Sequence, residues 1–228
     1  MLEKIKEFDL LTIINAVSPS YESLQDEVRE LRESFPNKTN QELAHKFGNR
    51  LRKKYTSVGV VSALPSTIPG IGTAAQIGVE AVTISGDLAL MLRWMAGTCY
   101  GVGLIYDKNI ESEFSQEFIK VLGMWCGAIE SVKKGTEKIA TKVAIAQFNR
   151  NVSGKVLQTV NRRVGTTIFT KYGAKRGGIA LGKLIPFGVG ALIGGSFNYY
   201  TMNGFKKKAI KYFESDEHTE YIIYENVK

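Results

Sequence analysis

Two stretches of this sequence carry no charged side chain, Tyr55–Val79 and Leu184–Phe205, and both are rich in glycine and apolar residues. Uncharged runs of this length are buried in protein or in lipid, so they decide which folds are open to the chain. Lipid burial is disfavoured by Pro65 and Pro69 in the first run and by Asn198, Thr201 and Asn203 in the second, and mean hydropathy is only -0.08. No spanning helix is expected. Gly190-x-x-x-Gly194 and Ala191-x-x-x-Gly195 place small residues one turn apart, which lets a neighbouring helix approach closely. Each run has a proline-glycine break, and the breaks echo one another: Ile68-Pro69-Gly70-Ile71-Gly72 with Gly78 beyond, and Ile185-Pro186-Phe187-Gly188-Val189-Gly190 with Gly194 beyond. The runs therefore read as two helical hairpins. Ile68, Pro69, Gly70 and Gly72 hinge one, and Ile185, Pro186, Gly188 and Gly190 hinge the other.

Helical periodicity runs through the rest. Ser18-Pro19 opens a helix over Tyr21–Phe35, with Leu24, Val28 and Leu31 on one face, and Thr39-x-x-Glu42 is a capping box for a helix running towards Ser62. Further helices are expected over Gly72–Tyr106, ended by Gly101, Gly103 and Asp107-Lys108-Asn109, and over Glu111–Lys133, Thr136–Asn149, Val152–Tyr172 and Gly188–Glu214. Tyr221–Tyr224 is β-prone without an obvious partner. The fold expected is all-α, a single multi-helix bundle carrying the two proline-hinged hairpins. Residues 1–35 form N-terminal amphipathic helices, 36–214 the main helical domain and 215–228 an acidic tail.

The net charge of +8 is unevenly distributed. Met1–Ser34 has 4 basic and 8 acidic residues, Lys120–Lys183 has 13 and 2, and Tyr212–Lys228 has 1 and 5. Within the basic stretch Lys134, Lys138 and Lys142 recur at helical spacing, followed by Arg150, Lys155, Arg162 and Arg163. Such a face attracts anionic lipid at about 1 kcal/mol per basic residue, or nucleic-acid phosphate with steep salt dependence; equally, it is a solvated surface. The acidic residues of Met1–Asn15 do not suit a signal peptide, and Cys99 and Cys126 have no metal or redox spacing, so reduced core thiols in a cytoplasmic protein are expected.

Catalytic motifs fail on inspection. Gly177–Lys183 matches a phosphate loop, but Leu184 stands where Ser or Thr must bind magnesium. Glu42-x-x-His45 has no second copy to complete a carboxylate-bridged metal pair, and no metal or other cofactor is expected. Gln76, Glu80, Thr83 and Asp87 form one polar stripe on a helix, in which Gln76, Glu80 and Asp87 could line a pocket or simply face solvent.

Pro36 through Asn109 resembles the N-terminal part of the EcsC protein family. The likeness lies in the Asn40–Ala44 lead-in, a basic helix, a proline-glycine break, and Asp87 in an apolar helix ending Ala96-Gly97-x-x-Tyr100-Gly101. The segment Lys183–Asn198 is similar to that family's closing Pro-x-x-Gly-Ala…Asn pattern. The resemblance implies a helical protein with glycine-rich hairpins, linked with membranes or membrane transporters, and no established reaction. The function expected is that of a non-enzymatic peripheral membrane or lipid-binding protein at the inner face of the membrane. Its partner would be an anionic lipid surface or a membrane protein. A ligand carrier or enzyme with a pocket at Glu80 and Asp87, and a nucleic-acid module using the basic face, are the alternatives.

Overall fold

A computed structural model describes residues 18–58, 86–108, 110–111, 114–133, 135, 142–144, 189–216 and 218–223. These residues are mostly helical. In chain order they form α1 (Tyr21–Ser34), α2 (Asn40–Val58), α3 (Gly86–Ile105), α4 (Phe114–Trp125), β1 (Ile129–Lys133), β2 (Lys142–Ala144), α5 (Val189–Phe213) and β3 (Thr219–Ile223).

Local chemistry sets the ends of the first two helices. Ser20 caps α1, its hydroxyl accepting from the Ser23 amide at 3.4 Å, and Leu24, Val28 and Leu31 are the buried stripe. Phe35 leaves the helix at φ -138, ψ 61, outside the helical region that the following Pro36 disfavours. The capping box of α2 forms as the spacing predicts: the Glu42 amide donates to Thr39 Oγ1 at 3.2 Å, and the Thr39 amide donates to Glu42 Oε2 at 3.0 Å.

Helix α3 is the hub, packed by α1, α2 and α5, and its residues from Met91 to Ile105 are nearly all buried. Burying side chains such as Phe47, Leu51, Leu92 and Met95 stabilises the fold by about 1.5–3 kcal/mol each. Gly101 and Gly103 do not end this helix. They lie inside it, where a Cβ on Gly101 would overlap the Phe47 ring of α2 and one on Gly103 would come within 2.5 Å of Ile110 Cδ1. The helix stops two residues after Ile105, at Asp107, which takes the left-handed conformation at φ 55. The Lys108 amide donates to the Gly103 carbonyl and the Asp107 amide to the Leu104 carbonyl, both at 3.0 Å, the paired bonds of a Schellman end. Arg32 of α1 completes it, its Nη2 donating to the Ile105 carbonyl and Asp107 Oδ1, each at 2.8 Å, and to the Leu104 carbonyl at 3.3 Å.

The all-helical expectation needs three corrections. The helix expected over Glu111–Lys133 ends at Trp125, because Gly127 enters the left-handed region at φ 77 and the Ala128 amide closes back on the Gly123 carbonyl. Ile129–Lys133 then runs as a strand, and so does Lys142–Ala144, within the expected helix Thr136–Asn149. Finally, the β-prone segment has partners. β3 is the centre of an antiparallel sheet of order β1-β3-β2, with Ser131 opposite Tyr221 and Lys142 opposite Ile222. Tyr221 and Ile222 are both buried, and through Tyr221 β3 joins the same core as the helices. Among the described residues no helix is long and apolar enough to cross a membrane.

Candidate functional site

The densest gathering of positive charge among the described helices is the seam where α2 crosses α5. On α2, Lys46, Arg50 and Lys53 form an exposed stripe, and His45, Asn49 and Arg52 a half-buried one beside it. On α5, Tyr199, Asn203 and Lys206 recur at spacings of four and three and turn towards that second stripe, while Lys207 is exposed. Arg52 Nη1 donates to Asn203 Oδ1 at 3.1 Å, and Lys206 Nζ donates to Asn49 Oδ1 at 2.7 Å. As α2 advances from 49 to 52, its partners on α5 fall from 206 to 203. The helices are therefore antiparallel, and each contributes one cation and one amide.

Gly48 makes the crossing possible. A Cβ there would come within 2.5 Å of Lys206 Cγ and 2.6 Å of Cδ, so only glycine leaves room for the lysine stem over the α2 backbone. At the other end the Arg52 guanidinium lies 4.1 Å from the Tyr199 ring centroid, a cation–π contact. Beyond it, Tyr199 and Tyr200 are the most exposed large apolar side chains of the described residues, at 42% and 72%.

The electrostatics of the seam are strained. Lys206 is only 4% exposed, and burial, followed by the charges of Arg52 and Lys207, lowers its pKa from the usual lysine value. His45 is also pushed down, first by burial and then by Lys206, with Lys207 adding to the shift and Glu214 opposing it. Because ammonium and guanidinium groups only donate, Asn49 and Asn203 must both turn their oxygens to them. The amide nitrogens remain as further donors.

A second buried polar group lies across the core. Glu117 of α4 accepts from Lys120 Nζ through Oε1 and from the Tyr212 hydroxyl through Oε2, each at 2.6 Å, with Lys120 fully buried. Burial and the Glu117 charge hold the Tyr212 phenol far above its ordinary range. Cys99 lies fully buried nearby, its thiol pushed up mainly by burial. This triad ties α4 to α5 within the core.

Of the residues singled out from the sequence, Lys142 lies in β2, so the helical stripe Lys134–Lys138–Lys142 does not form as expected; Lys134 and Lys138 lie outside the described residues. So do Arg150, Lys155, Arg162, Arg163, the hinge residues Ile68, Pro69, Gly70, Gly72, Ile185, Pro186 and Gly188, and Gln76 and Glu80. Gly190 falls in the first turn of α5, and Asp87 in the first turn of α3. Glu42 is engaged in its capping box and with Lys38 Nζ at 2.6 Å, and among the described residues no cluster of three or more metal-ligating side chains gathers. The α2–α5 seam was missed. Its one local signal is the run of basic residues from Lys46 to Lys54, but the Lys206–Asn49 pairing across the chain leaves no local trace.

No family model, curated protein or solved structure matches this chain.

Proposed function

We propose that this protein is a non-enzymatic, peripheral membrane protein that docks on anionic lipid through the α2–α5 seam. The observation that carries the reading is the juxtaposition of the Lys46–Arg50–Lys53 stripe and Lys207 with the exposed pair Tyr199–Tyr200. Basic side chains near an anionic surface contribute about 1 kcal/mol each, and tyrosines settle at the headgroup level with their rings in the apolar boundary. Four exposed cations thus supply roughly 4 kcal/mol before the rings are counted, enough for reversible surface attachment. The EcsC-like pattern, with its association with membranes, points the same way.

Sedimentation with vesicles of graded phosphatidylserine content tests the reading. Binding should rise with anionic fraction, fall with salt, and weaken about a hundredfold when Lys46, Arg50 and Lys53, at about 1 kcal/mol each, are all changed to glutamine. Tyr199→Ser/Tyr200→Ser should weaken binding at constant charge. Failure to pellet with any anionic vesicle at low salt, or a gel shift with oligonucleotides stronger than the vesicle response, would sink it.

A further inference from the structure

We infer that the protein pairs with a second copy of itself, laying the acidic outer face of α1 on the basic stripe of α2. This stripe, Lys46–Arg50–Lys53, is the one that the membrane reading gives to lipid. Where that reading holds, pairing regulates it by covering those cations.

The two faces match in charge and in spacing. On α1, Glu22, Asp26, Glu30 and Glu33 are all exposed and recur at spacings of four, four and three, on the side away from the buried Leu24, Val28 and Leu31. Asp26 pairs with Arg29 on its own helix, whereas Glu30 and Glu33 form no ion pair with any described residue. On α2, Lys46, Arg50 and Lys53 are exposed at spacings of four and three. Lys46 lies over the Phe35 ring, and Arg50 forms no ion pair with any described residue. One copy thus carries a ridge of each sign on two helices that touch.

The hairpin itself sets the register. Glu27 meets Lys54 at 3.5 Å and Lys46 lies 4.1 Å from the Phe35 ring centroid, so α1 and α2 are antiparallel and in both contacts the facing residue numbers sum to 81. A twofold axis running along the hairpin, between the helices, exchanges their places and keeps each residue at its height. The α1 helix of one copy then lies on α2 of the other in that same register. Glu33 falls level with residue 48, between Lys46 and Arg50, and Glu30 level with residue 51, between Arg50 and Lys53. Each is offset from its cations by two residues at most, about 3 Å along the axis, well within the reach of these side chains. The contact forms twice, once on each side of the axis, so the pair is closed. The other face-to-face arrangement, α1 on α1, sets acid against acid and cation against cation, which opposes association.

Exposed ion pairs are individually weak and are screened by salt, so the pairing belongs to low ionic strength and high protein concentration. Sedimentation equilibrium of the full chain tests it. The wild type should pass from monomer to dimer as concentration rises. The dimer should weaken at least about tenfold between about 0.01 M and 0.15 M salt, as the screening length falls from about 30 to 8 Å. Glu30→Lys/Glu33→Lys and Lys46→Glu/Arg50→Glu change exposed positions only, and each should leave a monomer with the circular dichroism of the wild type. Mixed in equal amounts, the two variants should pair with each other, because both contacts then join opposite charges. A wild type that stays monomeric at low salt, a dimer that survives in either variant, or a mixture that fails to pair overturns the inference. Growth beyond two copies overturns the twofold arrangement.

Vesicles containing phosphatidylserine separate this inference from the membrane reading. At a constant excess of lipid and low salt, the bound fraction of the wild type should fall as protein concentration rises through the dimer range, and Glu30→Gln/Glu33→Gln should remove that fall. A dimer that attaches to no anionic vesicle keeps the pairing and refutes the membrane reading. Attachment by a chain that stays monomeric keeps the membrane reading and overturns this inference. Pairing and attachment that do not compete overturn the covering of the cations.

Discussion

Replacing Glu117 with glutamine should be among the most damaging single changes to this fold, although it alters neither shape nor volume. Glu117 is nine-tenths buried and serves as the common acceptor for Lys120 and Tyr212, both at 2.6 Å, and Lys120 has no exposed surface. With glutamine the ammonium loses the charge of Glu117 while remaining buried. Removing one partner from a buried ion pair costs about 3–5 kcal/mol. Glutamine can still accept one hydrogen bond through its amide oxygen, so the expected loss is at the lower end, about 3 kcal/mol. For a chain of this size that lowers the melting temperature by about 6–12 °C. Tyr212→Phe removes only a hydrogen bond to a charged acceptor and should cost about 1.5–3 kcal/mol. The apolar triple change Glu117→Leu/Lys120→Met/Tyr212→Phe should recover most of the loss, because no buried charge is left unpaired. Thermal and urea unfolding followed by far-ultraviolet circular dichroism measure each variant. A Glu117→Gln protein that melts within about 2 °C of the wild type, or a triple variant less stable than that single change, would refute the reasoning.

Arg32→Ala should cost about 1–2 kcal/mol and speed amide exchange around Leu104–Lys108, since it removes the guanidinium donor from the Leu104 and Ile105 carbonyls at the end of α3; unchanged exchange there would contradict the capping role. Gly101→Ala should cost about 1–3 kcal/mol by driving a methyl into Phe47, and should be milder in a Phe47→Leu background when both are measured by denaturant unfolding. The Glu42 carboxyl is held below its usual 4.5, chiefly by the hydrogen bond from Lys38 and then by the Thr39 amide. A lowered carboxyl pKa contributes stability that is complete above about pH 4.5 and lost as pH falls through the native value. The first turn of α2 should therefore lose exchange protection on acidification, and Glu42→Gln should flatten that dependence.

The helices were legible where one residue's neighbours decide the outcome. Leu24, Val28 and Leu31 mark a buried stripe by spacing alone, and Thr39 with Glu42 announces a helix start that forms atom for atom. Helix ends were harder. Gly101 and Gly103 look like breakers, but they are close-packing positions, while the true stop is Asp107, a residue type that tolerates the left-handed turn. Of the strands, β3 was legible in the β-prone Tyr221–Tyr224, whereas β1 was missed because Ile129-Glu-Ser-Val-Lys follows an apolar helix without a proline, and only Gly127 separates the two periodicities. The cationic node was illegible for a different reason. Asn49 and Lys206 are ordinary surface-type residues in their own helices, and only the crossing over Gly48 brings them together.

The sheet order β1-β3-β2 imposes a timetable on the ribosome. The two outer strands are synthesised first and do not pair with each other, because the strand that joins them is Thr219–Ile223. At ordinary elongation rates Ile129–Lys133 and Lys142–Ala144 wait on the order of several seconds for it. Until then neither strand has its partner along that edge, and Lys133, exposed at the end of β1, is the kind of charge that keeps such an edge from pairing with a neighbouring nascent chain.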